Sequence, residues 1–289
     1  MRNWTLISLF TALSLFVGGN ALGAPRVPHV FIISIDGGKP DVIRKSQMPM
    51  LLGLVTQAAA TWKARTVEPN VTLPSHTSML TGVSPKRHKI TWNSWEPSKG
   101  LVRVQTIFAK AKAAGLKTAL FAAKEKFRHL NVPETLDVFA LPAGSPGVSQ
   151  EAAKYIIETK PNLAFMHLPE ADSTGHKYGW GSSKQKSALR TVDAAIATIV
   201  EAVHQAGIAE QSVVIVTADH GGIGLSHGLP IAANYTIPWI AHGAGVVRGK
   251  ALPSGIRTID TAATALWLLD LPTAGIEGRP VTSAFSFEN

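Results

Sequence analysis

Val30-Phe31-Ile32-Ile33-Ser34-Ile35, followed at once by Asp36-Gly37-Gly38, is the stretch on which the fold turns. A continuous apolar, β-branched run of this length reads as a strand buried on both faces, which is how strands of a parallel sheet read. Similar runs recur at Thr118 to Phe121, Leu163 to Met166 and Val213 to Val216. Ile237 to Ala241 is a weaker candidate, because Pro238 suits an edge or a strand start. Helical patterns lie between them at Ile107 to Ala114, Ser149 to Glu158, Ser187 to Ala206 and Asp260 to Leu268, with Gly115 and Gly207 placed as C-terminal caps. This alternation predicts an α/β fold, a mostly parallel central sheet with helices on both faces.

In open sheets of this kind, ligands bind beyond the carboxyl ends of the strands. The residues found there are Asp36, then Asp172-Ser173-Thr174-Gly175-His176, then Asp219-His220-Gly221-Gly222 with His227-Gly228 soon after. An Asp after a strand is by itself an ordinary cap or turn residue, and a lone His is usually a hydrogen-bonded structural one. Together, however, these fragments bring carboxylates and imidazoles to one side of the sheet. Three Asp and three His can ligate two divalent cations and offset most of their charge, and two ions about 4 Å apart suit in-line displacement at phosphorus. The chain has no cysteine, so thiolate sites and thiol nucleophiles are excluded. Zinc is the expected metal, and the ligand types also admit manganese or iron.

A nucleophile is needed as well. Val71-Thr72-Leu73-Pro74-Ser75-His76 leads into an apolar stretch, and Pro74 in a first helical turn places Thr72 just ahead of a helix N-terminus. Backbone N–H groups and the helix dipole favour an anion there. Capping of that helix by Thr72 or Ser75 accounts for the same segment.

Taken in order, these fragments resemble the alkaline phosphatase superfamily, and within it the type I phosphodiesterase/nucleotide pyrophosphatase branch. The Thr-Phe-Pro-Asn-His segment of that branch is matched by Thr72 to His76, and its Thr-Gly-x-x-Pro-x-x-His-Gly-Ile stretch by Thr81 to Ile90. Asp172 to His176, Asp219 to Gly221 and Ser226-His227-Gly228 match three further motifs, and Ile256 to Ala262 and Gly278 to Val281 resemble the family's ending. The resemblance implies an alkaline-phosphatase-like fold. It assigns one metal to Asp172, His176 and His227 and the other to Asp36, Asp219 and His220, with the Thr72 oxygen beside the second. It further implies that Asn93 helps hold a phosphoryl oxygen and that Lys124 and Lys126 meet substrate anions; as solvated charges at a helix start, the two lysines need no such role. Two departures stand out. Lys89 replaces the glycine of His-Gly-Ile, where the backbone is expected to differ, and His220 and His227 lie seven positions apart, which leaves little room for a cap domain.

The start of the chain reads as a cleavable leader. Arg2 precedes the uncharged, largely apolar Trp4 to Val17, and Ala21-Leu22-Gly23 forms a small-x-small site, so residues 1–23 are expected to be a signal peptide and 24–289 a single hydrolase domain. A retained anchor is the alternative, but the apolar run is short of the ~20 residues a spanning helix needs. Export points to a periplasm. The formal charge of +9 suits a small anionic phosphate-ester substrate, and the basic residues are scattered, without the aromatic interleaving that marks nucleic-acid binding. The activity expected is that of a phosphodiesterase or nucleotide pyrophosphatase working through a phosphothreonine. A phosphomonoesterase, a phosphonate hydrolase and a non-catalytic metal-binding protein are the alternatives; a sulfatase is disfavoured by the absence of cysteine and the threonine at the nucleophile position.

Overall fold

A computed structural model of the chain describes Met1 and residues 25–287. The expected leader therefore falls, from Arg2 onward, outside the described residues. Seven strands form one sheet: β1 (His29–Ile35), β2 (Ala59–Arg65), β3 (Thr118–Phe121), β4 (Val138–Ala140), β5 (Leu163–Leu168), β6 (Ser212–Ala218) and β7 (Thr236–Gly243). Their spatial order is β2-β7-β6-β1-β5-β3-β4. Every pairing is parallel except those of β7, which runs antiparallel to both β6 and β2.

The apolar run of β1 is buried on both sides, as its composition requires. Val30 and Ile32 face a cluster containing Leu73, Leu80, Phe108 and Leu266. Phe31, Ile33 and Ile35 face a second cluster with Ile43, Leu51, Ile156 and Ile196. The helices contributing to the first are α3 (Thr72–Thr81), α5 (Ile107–Ala113) and α10 (Thr258–Leu268). Those contributing to the second are α1 (Pro40–Arg44), α2 (Pro49–Thr56), α6 (Gly144–Thr159) and α8 (Ser183–Gln205). Three short helices complete the set: α4 (Pro85–His88), α7 (Glu170–Tyr178) and α9 (Ala232–Tyr235). Among the described residues, no helix is long and apolar enough to cross a membrane.

Gly115 and Gly207 do terminate helices, with φ of 76° and 69°. In each case the next two N–H groups bond back to the last turn, Gly115 to Lys112 and Leu116 to Ala111, Gly207 to His204 and Ile208 to Val203.

Several expectations are corrected. Pro238 lies in an interior strand, between β2 and β6, because the β2 register shifts between Thr61 and Ala64, opposite the proline whose ring removes a ladder donor. Strands β2 and β4 add to the predicted set. Helix α6 begins at Gly144 rather than Ser149, because Glu170 accepts the Ser145 N–H at 2.6 Å and caps it from another segment. Helix α8 begins at Ser183 rather than Ser187, and Ser182 caps it by accepting the Gln185 N–H. Lys89 adopts φ 65° and ψ 5°, the left-handed conformation that glycine takes at least cost.

Candidate metal centre and nucleophile

The three central strands β6, β1 and β5 are neighbours and parallel, so their carboxyl ends deliver residues to one place. Asp36 follows β1, Asp219 and His220 follow β6, and Asp172 with His176 lies on α7 after β5. Spacing of four on a helix puts Asp172 and His176 on one face. His227 arrives on the loop that follows His220. Gly37 (φ 71°) permits the close approach, since a Cβ there would stand 2.9 Å from the Asp172 Cα.

The histidines are held in one tautomer. Nδ1–H donates to a backbone carbonyl in each: His220 to Gly221 at 2.8 Å, His227 to Asn70 at 3.1 Å and His176 to Leu225 at 2.9 Å. A carbonyl can only accept, so each neutral ring presents its Nε2 lone pair inward. What these lone pairs face is more acceptors. Asp172 Oδ1 lies 3.3, 3.6 and 3.9 Å from Nε2 of His176, His227 and His220. Asp36 Oδ1 and Asp219 Oδ2 lie 3.4 and 3.3 Å from His220 Nε2. All three carboxylate oxygens and His220 Nε2 are buried and lack a hydrogen-bond partner.

Acceptors converging in this way require a cation or a proton between them. Burial, followed by the charge of His227, lowers the His220 pKa to about 4, so the ring is neutral at neutral pH. Burial lowers His227 as well. Burial and the charges of Asp36 and Asp172 push the Asp219 carboxyl well above the ordinary range. Burial alone would also raise Asp36, but Lys124 and the His167 hydrogen bond outweigh it and hold it well below. The ligand atoms form two groups in which all lie within 4.8 Å of one another, Asp172/His176/His227 and Asp36/Asp172/His220. Oxygen and nitrogen donors in these numbers fit divalent ions. The first group has the expected membership. In the second Asp172 stands where Asp219 was expected, and Asp219 approaches through His220.

Thr72 is the first residue of α3 rather than the residue ahead of it, and neither Thr72 nor Ser75 caps the helix. Ser75 Oγ instead bonds the Asp219 carbonyl at 2.8 Å and ties α3 to the ligand loop. The cap comes from Asn93, whose Oδ1 accepts the Leu73 N–H at 2.9 Å. Among the described residues, neither the hydroxyl nor the N–H of Thr72 has a hydrogen-bond partner. Lys126 Nζ donates to the same Asn93 oxygen at 3.0 Å. Lys124, expected at substrate, instead bridges Asp36 and Asp172, its Nζ 2.6 Å from Oδ2 of each.

Three histidines carry roles the sequence did not disclose. His167 Nε2–H donates to Asp36 Oδ2 at 2.7 Å. It lies one residue past the Leu163 to Met166 run, and a lone imidazole inside an apolar strand was the available clue. His76 donates from Nδ1 to the Thr72 carbonyl and accepts from Ser34 Oγ, both at 2.8 Å. His129 donates to the Gly100 carbonyl and accepts from Trp92 Nε1 and the Glu96 N–H, which pins the loop bearing Asn93.

Residues 30–128 and 116–238 match the family model described as type I phosphodiesterase / nucleotide pyrophosphatase. Human ectonucleotide pyrophosphatase/phosphodiesterase family member 1 is 24% identical over 221 residues, 68% of this chain and 24% of its own length. The bovine bis(5'-adenosyl)-triphosphatase ENPP4 is 22% identical over 244 residues, 75% of this chain and 52% of its own. The chain thus spans about half or less of these relatives. Among solved structures, murine ectonucleotide pyrophosphatase/phosphodiesterase 5 in complex with AMP superposes with a TM-score of 0.77 at 15% identity, covering 89% of this chain and 100% of that one. A 2-O GAG sulfatase does so with a TM-score of 0.74 at 13% identity, covering 89% and 74%. The sheet, the strand-end residues and the matched segments agree: the chain belongs to the type I phosphodiesterase / nucleotide pyrophosphatase family of the alkaline phosphatase superfamily.

Proposed function

We propose that the protein is an exported, two-metal hydrolase of phosphate esters, a phosphodiesterase or nucleotide pyrophosphatase that works through a phosphothreonine on Thr72. The observation that carries this reading is the set of buried, partnerless acceptors beside an unengaged hydroxyl at a helix N-terminus. Asp172, His176 and His227 would hold one ion, and Asp36, Asp219 and His220 the other, with Asp172 Oδ1 between the groups. When bound, divalent ions, most simply zinc, supply Lewis-acid stabilisation of the attacking and leaving oxygens.

The protein's own residues do the rest. Thr72 sits where the α3 dipole and its free N–H favour a phosphoryl oxygen. Asn93 keeps its Oδ1 on Leu73 and Lys126, which leaves its Nδ2 to donate to the same oxygen as charge builds. His76 holds the Thr72 carbonyl and so fixes the backbone of the first turn of α3. The Thr72 oxygen attacks phosphorus in line as the bond from phosphorus to the leaving oxygen breaks, and the Thr72 proton passes to solvent. The leaving oxygen departs from the His176 and His227 side and takes up a proton from solvent to leave as the alcohol. Water then attacks the same phosphorus, the bond to the Thr72 oxygen breaks, the phosphate product leaves and a proton restores the Thr72 hydroxyl. The AMP complex of the murine homologue supports a small anionic ester as substrate. The signal peptide expected at residues 1–23 would direct the protein to a periplasm.

A phosphomonoesterase or phosphonate hydrolase is the second reading, favoured by Lys126, an ammonium held beside Asn93 where a second phosphoryl charge would lie. A metal store needs no free threonine at a helix N-terminus, which disfavours a non-catalytic role. The test is turnover of matched 4-nitrophenyl esters (phosphodiester, phosphomonoester, phosphonate ester and sulfate) by zinc-loaded protein, chelated protein and Thr72→Ala. Metal- and Thr72-dependent preference for the diester is expected. Preference for the monoester would select the second reading, and stoichiometric zinc with no turnover would overturn both.

A further inference from the structure

Apart from Met1, the large apolar side chains standing exposed among the described residues are Ile157, Tyr178, Ile223, Leu225, Leu229 and Ile231. Only Ile157 is remote from the site. Tyr178 ends the helix that carries Asp172 and His176, and the other four flank His227 on its loop. Stray exposed apolar residues are normal, but their concentration at the mouth of one site is not.

The loop is fastened by the site itself. The Leu225 carbonyl receives the His176 Nδ1–H, and the Gly224 carbonyl receives the Trp180 N–H at 2.8 Å. The Leu229 carbonyl accepts from Asn234 Nδ2 at 2.8 Å, and Asn70 Nδ2 reaches the His227 carbonyl at 2.9 Å. The polar backbone is turned inward by these bonds, and the Leu225 and Leu229 side chains are left 59% and 60% exposed. Residues 221–231 contain no acid, lysine or arginine, in a chain of net charge +9. Lys177, next to Tyr178 in sequence, holds its ammonium over the Tyr178 ring at 5.2 Å.

We infer that this rim receives an apolar chain on the alcohol leaving group of the substrate, so that the natural ester is amphiphilic. The inference rests on the phosphodiesterase reading above, in which the alcohol departs past His176 and His227, the two ligands that the rim encloses. An uncharged, apolar rim there would lower the free energy of a hydrocarbon chain and offer nothing to a charged or sugar-bearing one.

The test is a series of methyl phosphodiesters of 2-nitrophenols carrying 4-methyl to 4-octyl chains, each below its micellar concentration. This places the chain on the leaving group at nearly constant phenol acidity. With zinc-loaded protein, kcat/KM is expected to rise about two- to fourfold per added methylene before reaching a plateau. In Leu225→Ser/Leu229→Ser, confirmed to bind zinc stoichiometrically, that slope is expected to flatten. Turnover that ignores chain length in the wild type would overturn the inference and leave the phosphodiesterase reading standing. A slope unchanged in the variant, or an oligomeric state changed in its place, would also overturn it. No turnover of any member would overturn the reading beneath it.

Discussion

Lys124 offers a quantitative handle on the charge of the site. Its Nζ lies 2.6 Å from Asp36 Oδ2 and 2.6 Å from Asp172 Oδ2, with the lysine side chain 19% exposed. Burial alone would lower its pKa, but the two carboxylates raise it, so it is a fixed ammonium. In the metal-free protein it is the cation in contact with both. Lys124→Met keeps much of the stem and deletes the charge. Removing one partner of a buried pair costs roughly 3–5 kcal/mol, because the other charge stays buried without compensation. For a protein of this size that corresponds to a fall in Tm on the order of 10 °C in chelator. With zinc present the ions would neutralise the carboxylates and the loss should shrink to a few degrees. The ammonium also competes with the ions for the same oxygens, so zinc should bind more tightly to Lys124→Met, by roughly tenfold or more if even ~1.4 kcal/mol of that competition is relieved. Thermal unfolding with and without chelator, paired with calorimetric zinc titration, reads both effects. Wild-type stability in chelator, or weaker zinc binding by the variant, would show that Lys124 does not compensate the two carboxylates.

Other expectations follow from neighbouring residues. Asn93→Ala should lower kcat by about 10²- to 10³-fold through loss of an oxyanion donor, and stability by ~1 kcal/mol through loss of the α3 cap, as steady-state kinetics and urea unfolding would show. Lys89→Gly should stabilise by about 1 kcal/mol, because φ 65° costs a side chain what glycine avoids, and a urea midpoint checks it. Burial holds His88 down to about 4 from an ordinary 6.5, with Nδ1 accepting the Ile90 N–H and Nε2 bonded to Ser78. The unfolded chain takes up that proton first, so stability should fall as pH drops from about 6.5 to about 4, by roughly 3 kcal/mol in all. His88→Gln should flatten that part of the profile in urea titrations across the window.

What could be read from the residues was what local chemistry fixes. The β1, β5 and β6 runs are apolar because both of their faces are covered, so they read as central strands and their ends marked the site. Asp36, Asp172, His176, Asp219, His220 and His227 do converge there. Less legible was anything set by partners distant in sequence. Strand β2, Ala-Ala-Thr-Trp-Lys-Ala-Arg, is half-exposed and is held by pairing with β7. Pro238 reads as an edge residue because the bulge opposite it belongs to another strand. Glu170 caps α6 and Asn93 caps α3 across 25 and 20 residues, beyond any local capping pattern. Lys124 reads as a surface charge until the fold sets two carboxylates beside it.

Thr72 is proposed to carry the phosphoryl group. Acid quench of zinc-loaded protein during turnover of a nitrophenyl phosphodiester, followed by peptide mapping, tests it most directly. Phosphate is expected on the peptide containing Thr72, absent from Thr72→Ala along with nearly all turnover. Turnover near the wild-type rate by Thr72→Ala, with no phosphorylated peptide in either protein, would contradict it.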